Sequence, residues 1–284
     1  MTKLKKDNIK ASAIKGGSIA KNTNLKGDAD CDVFVRFDMK YDTDKISGIL
    51  HKSIIKVIKN ITTLHGSRDY YTFSNNLNYE IVPVLNIKKA EQAKNVTDCS
   101  PLHTQWVNKY QKIKSDIRLA KAFAKSAKVY GAESYINGFS GHVLDILTIY
   151  YGGFEKLLKA SQKWKPGEII DLKNAHNGLA KFNLNESKLR SGLIVIDPTQ
   201  PDRNAAAALS TENMLIFQQK AKEFLKKPAK KFFIREQFDI SKIRYDKKKL
   251  DMIIIDMKAK EGKHDIIGTK ILKAHEYLKL NLEK

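Results

Sequence analysis

GGSIAKNTNLKGDADCDVFVRFD, residues 16–38, is the stretch on which the reading of the fold turns. Its second half alternates. Cys31, Val33, Val35 and Phe37 point one way and Asp32, Phe34 and Arg36 the other, the period of a half-buried strand. Side chains at i and i+2 of a strand share a face, so Asp30 and Asp32 stand side by side, away from the hydrophobic layer. Two adjacent carboxylates repel unless a cation lies between them. Magnesium, hard and octahedral, suits carboxylates together with substrate phosphates. A third carboxylate on a neighbouring strand would complete a two-metal site, and Glu80, inside LNYEIVPVL (77–85), is the candidate. Upstream, Gly17 lets the backbone approach a phosphate closely, and the Ser18 hydroxyl with the amides of a helix start binds its oxygens. Singly, each feature has an ordinary reading: a solvated strand face, a turn, a surface carboxylate. The order of glycine-serine turn, DxD strand and lone acid on a later strand is what points to chemistry.

Working outward, residues 10–18 read as a short strand running into the turn at Gly16-Gly17-Ser18. Residues 46–58 place Ile46, Ile49, Leu50, Ile54, Val57 and Ile58 at helical spacing, and 77–85 read as another strand, so the opening is a sheet with a covering helix. The pattern turns helical near Ser100-Pro101. Ile113, Ile117, Ala120, Ala124 and Ala127 form an apolar face, with a basic stripe of Arg118, Lys121, Lys125 and Lys128 beside it. Gly138 to Gly141 breaks the chain before an apolar helix, His142 to Tyr151, and another helix follows from Phe154. GLIVIDP (192–198) is a short strand, Ser210 an N-cap, KKPAKK (226–231) a basic patch, MIIIDM (252–257) a strand, and His264 to Leu280 a helix. The expected fold is α+β: a catalytic head over 1–99, a mostly helical neck and central domain over 100–235, and a shortened α/β body segment over 236–284.

The 284 residues are long enough for more than one core, and 42% hydrophobic content excludes disorder throughout. Lys and Arg total 52 against 31 Asp and Glu, a net charge of +21 that attracts polyanions, nucleic acid first among them. Cys31 and Cys99 form no zinc or CxxC spacing, which excludes a disulfide scaffold and fits a reducing compartment. The N-terminus lacks an apolar signal-peptide segment and no apolar run reaches membrane-span length, so a soluble, cytoplasmic protein is expected.

The quoted segment resembles the signature of the DNA polymerase beta-like nucleotidyltransferases. More narrowly it resembles the archaeal, class I, tRNA CCA-adding enzymes, as do SPLHTQWV (100–107), residues 117–154 and VIDPTQPDRNAAAALS (195–210). The resemblance runs from about Gly16 to the C-terminus, thinly after residue 235. It implies template-independent addition of C, C and A to the tRNA acceptor end from CTP and ATP, with two magnesium ions. It implies metal binding by Asp30, Asp32 and Glu80, and nucleotide binding by Gly17, Ser18, Lys21, Ser100, His103, Lys121, Tyr130 and Arg203. Within that set, Gly17 and Ser18 hold the triphosphate, Ser100 and His103 lie near the nucleotide, Lys121 and Tyr130 bind phosphate and sugar, and Arg203 reads the base edge. Apart from the resemblance, Lys121 reads as a solvated helix lysine, Tyr130 as packing, His103 as a core-edge histidine and Arg203 as a helix cap.

Two departures from the family pattern stand out. Glu80 occupies a position that is usually Asp, one methylene shorter. The family's tail domain, which grips the far end of the tRNA top half, is expected to be missing, with a homodimer or a partner chain as ways to replace it. Two other functions stay open at this point: a poly(A)- or oligoadenylate-forming transferase using ATP alone, and a non-catalytic RNA-binding relative.

Overall fold

A computed structural model describes residues 6–27, 30–235 and 264–282, together with Leu4, Ile255 and Met257. The head runs β1 (Ala11–Lys15), α1 (Gly17–Lys21), β2 (Cys31–Phe37), α2 (Ile46–Ile54), β3 (Thr62–Leu64), β4 (Tyr70–Asn75) and β5 (Leu77–Leu85). These strands form one mixed sheet in the order β1-β2-β5-β4-β3. β2 lies parallel to β5, and the neighbouring pairs are antiparallel. A parallel pair needs a long crossover. Here the crossover carries α2, whose Ile46, Leu50 and Ile54 pack with Val35, Phe37, Ile81 and Leu85.

Strand β2 is buried on both faces at its far end, where a half-buried strand was expected. Phe34, on the same face as Asp32, packs with Val82 and Val84 in a second apolar layer. The turn before α1 lies over its ring: a Cβ on Gly16 would stand 2.2 Å from Phe34. α2 stops at Ile54, short of the expected 58, and Val57 is 69% exposed rather than part of the apolar face. Strands β3 and β4, absent from the sequence reading, extend the sheet beyond β5. A buried ion pair, Arg68 Nη1 to Asp98 Oδ1 at 2.6 Å, pins their loop, and Asp98 also accepts from the Leu85 amide at 2.8 Å.

The next segment contains α3 (Ser100–Val107), α4 (Lys114–Ser126), α5 (Gly141–Tyr151), α6 (Phe154–Ser161), β6 (Glu168–Ile170), α7 (Ala180–Asn183), β7 (Leu193–Asp197), β8 (Gln200–Asn204) and α8 (Thr211–Lys226). Strands β6, β7 and β8 form a small sheet, β6 parallel and β8 antiparallel to β7. Ser140 caps α5, its hydroxyl accepting from the Val143 amide at 3.1 Å, and Ser210 caps α8 in the same way from Asn213 at 3.1 Å. The core gathers Phe123, Phe139, Leu144, Leu147, Leu157 and Phe217. Truncating one of these phenylalanines to Ala would cost about 3–5 kcal/mol.

The expected strand at 252–257 lies outside the described residues except for Ile255 and Met257. The expected C-terminal helix is α9 (His264–Leu282). It docks on the turn after α4: the Asp265 carboxylate accepts from the Ser134 amide at 2.8 Å and its hydroxyl at 2.7 Å. Among the described residues no helix is long and apolar enough to cross a membrane.

Candidate active site

The parallel pairing of β2 with β5 sets Asp32 directly opposite Glu80. Asp30 precedes the strand, and the three acids line one cleft of about 660 Å³ with Ser18, Lys125, Lys128, Tyr130 and Arg235. Burial pushes the Asp32 carboxyl up to about 6, Asp30 adding to the rise and Lys21 opposing it. Burial pushes Glu80 up to about 7, with Asp32 and then Asp30 adding. Neighbouring acids that raise each other in this way are held together at an electrostatic cost, and a bound cation removes that cost.

Gly17 explains why the glycine-serine turn and the DxD strand occur together. The Gly16 amide donates to the Asp32 carbonyl at 2.8 Å, laying the turn on the strand. Gly17 has φ +57, and a Cβ there would sit 1.6 Å from Asp32 Oδ2. Only glycine combines that backbone conformation with that closeness. Ser18, the second residue of α1, then lies at the cleft wall.

Behind the cleft lies an acid that the sequence reading missed. Asp145, on α5 and fully buried, accepts from Lys21 Nζ at 2.8 Å and pairs with Lys121 Nζ at 2.8 Å. Lys121 also donates to Thr23 Oγ1 at 2.8 Å. Burial alone would raise the Asp145 carboxyl, but Lys21 and Lys121 outweigh it and hold Asp145 well below the usual carboxylate range. Burial lowers the Lys121 ammonium, and Asp145 opposes that. Lys121 is therefore no solvated helix lysine, being only 4% exposed. The basic stripe of α4 is divided: Arg118 is tied to the Asn22 carbonyl at 2.9 Å, Lys121 is buried, and Lys125 and Lys128 reach the cleft. Tyr130 stands beside Lys121, and a Cβ on Gly141 would come 2.8 Å from its hydroxyl.

His103 and Arg203 meet at a second missed acid, Asp197, at the end of β7. Its Oδ2 accepts from Arg203 Nη1 at 2.9 Å and lies 3.1 Å from His103 Nε2 and 3.3 Å from His142 Nε2. Its Oδ1 accepts from the Thr199 amide at 2.9 Å and hydroxyl at 2.8 Å. Burial would raise Asp197, but the two histidines hold it far below the usual range. Burial pulls His103 down to about 4 despite Asp197. The two imidazoles stack with centroids 4.1 Å apart. The candidate ligand atoms of His103, His142 and Asp197 lie within 4.8 Å of one another, close enough to hold a metal. The Arg203 guanidinium on the same carboxylate oxygen places a fixed cation there. Ser100 opens α3, one turn before His103, and its carbonyl accepts from Thr104 Oγ1 at 3.4 Å.

The sequence-derived residues thus fall into two groups, one around the cleft and one around Asp197. His142 joins them, its Nδ1 3.9 Å from Asp145. Arg203 lies on β8, not in a turn before a helix.

This arrangement, a mixed sheet carrying paired acids beside a glycine turn and followed by helices, is the fold of the nucleotidyltransferases. A nucleotidyltransferase domain model matches residues 2–130, and the second domain of tRNA nucleotidyltransferases matches residues 115–234. The two overlap on α4. Among solved structures, a cytoplasmic RNA terminal U-transferase (TM-score 0.59, 13% identity, 80% of this chain and 87% of that chain) and the Cid1 poly(U) polymerase (TM-score 0.60, 13% identity, 80% and 86%) share the fold. A CCA-adding enzyme of Nanoarchaeum equitans is 37% identical over 95% of this chain, and one of Sulfolobus acidocaldarius 33% identical over 93%. The chain spans 66% of the length of the first and 61% of the second. It belongs to the nucleotidyltransferase superfamily, among the relatives of the archaeal CCA-adding enzymes.

Proposed function

We propose that this chain adds C, C and A to the 3′ end of tRNA from CTP and ATP, without a template. The observation that carries this reading is the Asp32–Glu80 register beside Asp30, with the Gly17 backbone packed on Asp32. The RNA 3′-hydroxyl oxygen bonds to the α-phosphorus, the bond to the bridging oxygen breaks, pyrophosphate leaves and the hydroxyl proton is lost.

Asp30, Asp32 and Glu80 are hard oxygen donors whose mutual repulsion fits divalent cations, so they would hold magnesium. Two bound magnesium ions would supply activation of the attacking hydroxyl and neutralisation of the leaving pyrophosphate. The chain's own contribution is positioning. Gly17 and Ser18 receive the triphosphate, with Lys21 and Lys121 behind them on Asp145. Tyr130 supports the sugar, with Ser100 and His103 near the nucleotide. Arg203, fixed by Asp197, presents its guanidinium edge to the base, and it is 42% exposed in its side chain while its anchor is buried. A fixed donor array selects a base through the groups it would otherwise leave unpaired.

The test is incubation with tRNA lacking CCA, CTP, ATP and magnesium, read by product length. Extension by three nucleotides is expected, and none with Asp32→Ala. Wild-type incorporation by Asp32→Ala would remove the site assignment, and extension with ATP alone on any RNA would turn the reading to oligoadenylate synthesis.

A further inference from the structure

Lys128 belongs to two depressions. It lines the carboxylate cleft together with Lys125 and Arg235. On its other side it lines a second groove of about 340 Å³ with Lys220 and Lys231. The backbone under this groove is fixed. Phe232, buried, stacks toward Phe123 at 6.3 Å and meets Phe224 at 5.5 Å. Ser126 Oγ donates to the Ile234 carbonyl at 2.9 Å, tying the turn that bears Lys231 to the end of α4. Lys128 itself is held at φ +60 just past that helix. Glu223 also lines the groove, and it is engaged by Lys220 Nζ at 3.1 Å and Gln219 Nε2 at 3.0 Å. The exposed Lys226, Lys227 and Lys230 continue the positive surface.

We propose that this groove binds the phosphate backbone of the RNA strand whose 3′ end lies in the carboxylate cleft, with Lys128 as the shared bank between the two. The proposal rests on the function proposed above. A strand that ends at the three acids must leave the cleft along some wall. Lys128 belongs both to the wall formed with Lys125 and Arg235 and to the Lys220 and Lys231 groove. A nucleoside triphosphate is consumed within the first depression and has no need of the second, whereas a polyanion engages both. Lysines on fixed backbone act as phosphate point charges without reading sequence.

The test uses the full chain with Lys220→Glu and Lys231→Glu together, and Lys220→Gln with Lys231→Gln as the milder pair should the first misfold. Affinity for tRNA lacking CCA is expected to fall about tenfold or more near ~0.1 M salt, and the slope of log K against log salt to decrease by about 1–2. The KM for CTP and the rate at saturating RNA should stay at wild-type values. Unchanged RNA affinity and salt slope in a folded variant would overturn the proposal. So would loss of inorganic pyrophosphate binding with RNA affinity intact, which would make the groove a polyphosphate site. Should the wild-type chain bind tRNA through the groove yet add no nucleotide, the function reading fails and the groove stands.

Discussion

Two sets of acids, one partly exposed and one fully buried, lie close together in this molecule and behave in opposite ways. Asp32 and Glu80 sit across a strand pair with Asp30 beside them, and burial and mutual repulsion drive their carboxyls upward. Asp145 and Asp197 are more deeply buried, yet both are driven downward, because the chain supplies their partners: the ammoniums of Lys21 and Lys121 on one, hydrogen bonding from His103 and His142 on the other, where the Arg203 guanidinium also lies at 2.9 Å. Lys21 makes the contrast concrete. It lies near enough to Asp32 to lower it, yet its ammonium bonds to Asp145. The paired acids fix positive side chains in place. Asp32 and Glu80 instead face each other and Asp30, and their mutual repulsion favours a bound divalent cation.

The contrast breaks hardest in activity. Asp32→Ala should reduce CMP incorporation by ~10³-fold or more, measured by radiolabel, while circular dichroism stays unchanged; normal incorporation would dissolve the distinction. Next comes stability. Asp145→Ala leaves two buried ammoniums unpaired and should cost about 3–5 kcal/mol in denaturant unfolding. Asp32→Asn should move the other way, stabilising the metal-free protein by roughly 1–2 kcal/mol through lost repulsion. A loss of stability there would show the acids to be structurally compensated. Gly17→Ala, strained at positive φ and crowding Asp32, should lower kcat by roughly 10–100-fold with a modest stability cost.

The smallest expected effect is in pH. Acids raised on folding stabilise the metal-free protein below their unfolded values and lose that contribution as pH rises through about 6 for Asp32 and about 7 for Glu80. Asp145 and Asp197, lowered on folding, contribute above the ordinary carboxylate range and lose it in acid. His103, lowered on folding to about 4, works in the opposite sense over the same range in both proteins, so from pH 4 to 8 the unfolding midpoint of wild type should fall relative to that of Asp32→Asn. Identical profiles would argue against the assigned pair.

The sequence made one half of this contrast readable and concealed the other. The alternation of residues 31–37 and the apolar strand around Glu80 were legible because period-two patterning survives in a sheet. The alignment of Asp32 with Glu80 was not, since parallel register is set by long-range packing. Strands β3 and β4 escaped because TTL is short and YYTFSN mixes polar with aromatic residues. β8 hid in the proline-containing QPDRN, which reads as a turn. Asp145 and Asp197 left a signal that went unused. Each is a single charge inside an apolar run, HVLDILTIYY and LIVIDP, and a charge placed there must find buried partners. Asking which polar partners could reach them would have drawn Lys21, Lys121, His142 and Arg203 together.

The most direct measurement is the unfolding midpoint of wild type and Asp32→Asn near pH 8 as magnesium is titrated in. The wild-type midpoint should climb with magnesium toward saturation, while that of Asp32→Asn starts higher and stays nearly flat. Parallel climbs in both proteins, or none in either, would contradict the claim that these three acids are built to hold divalent cations.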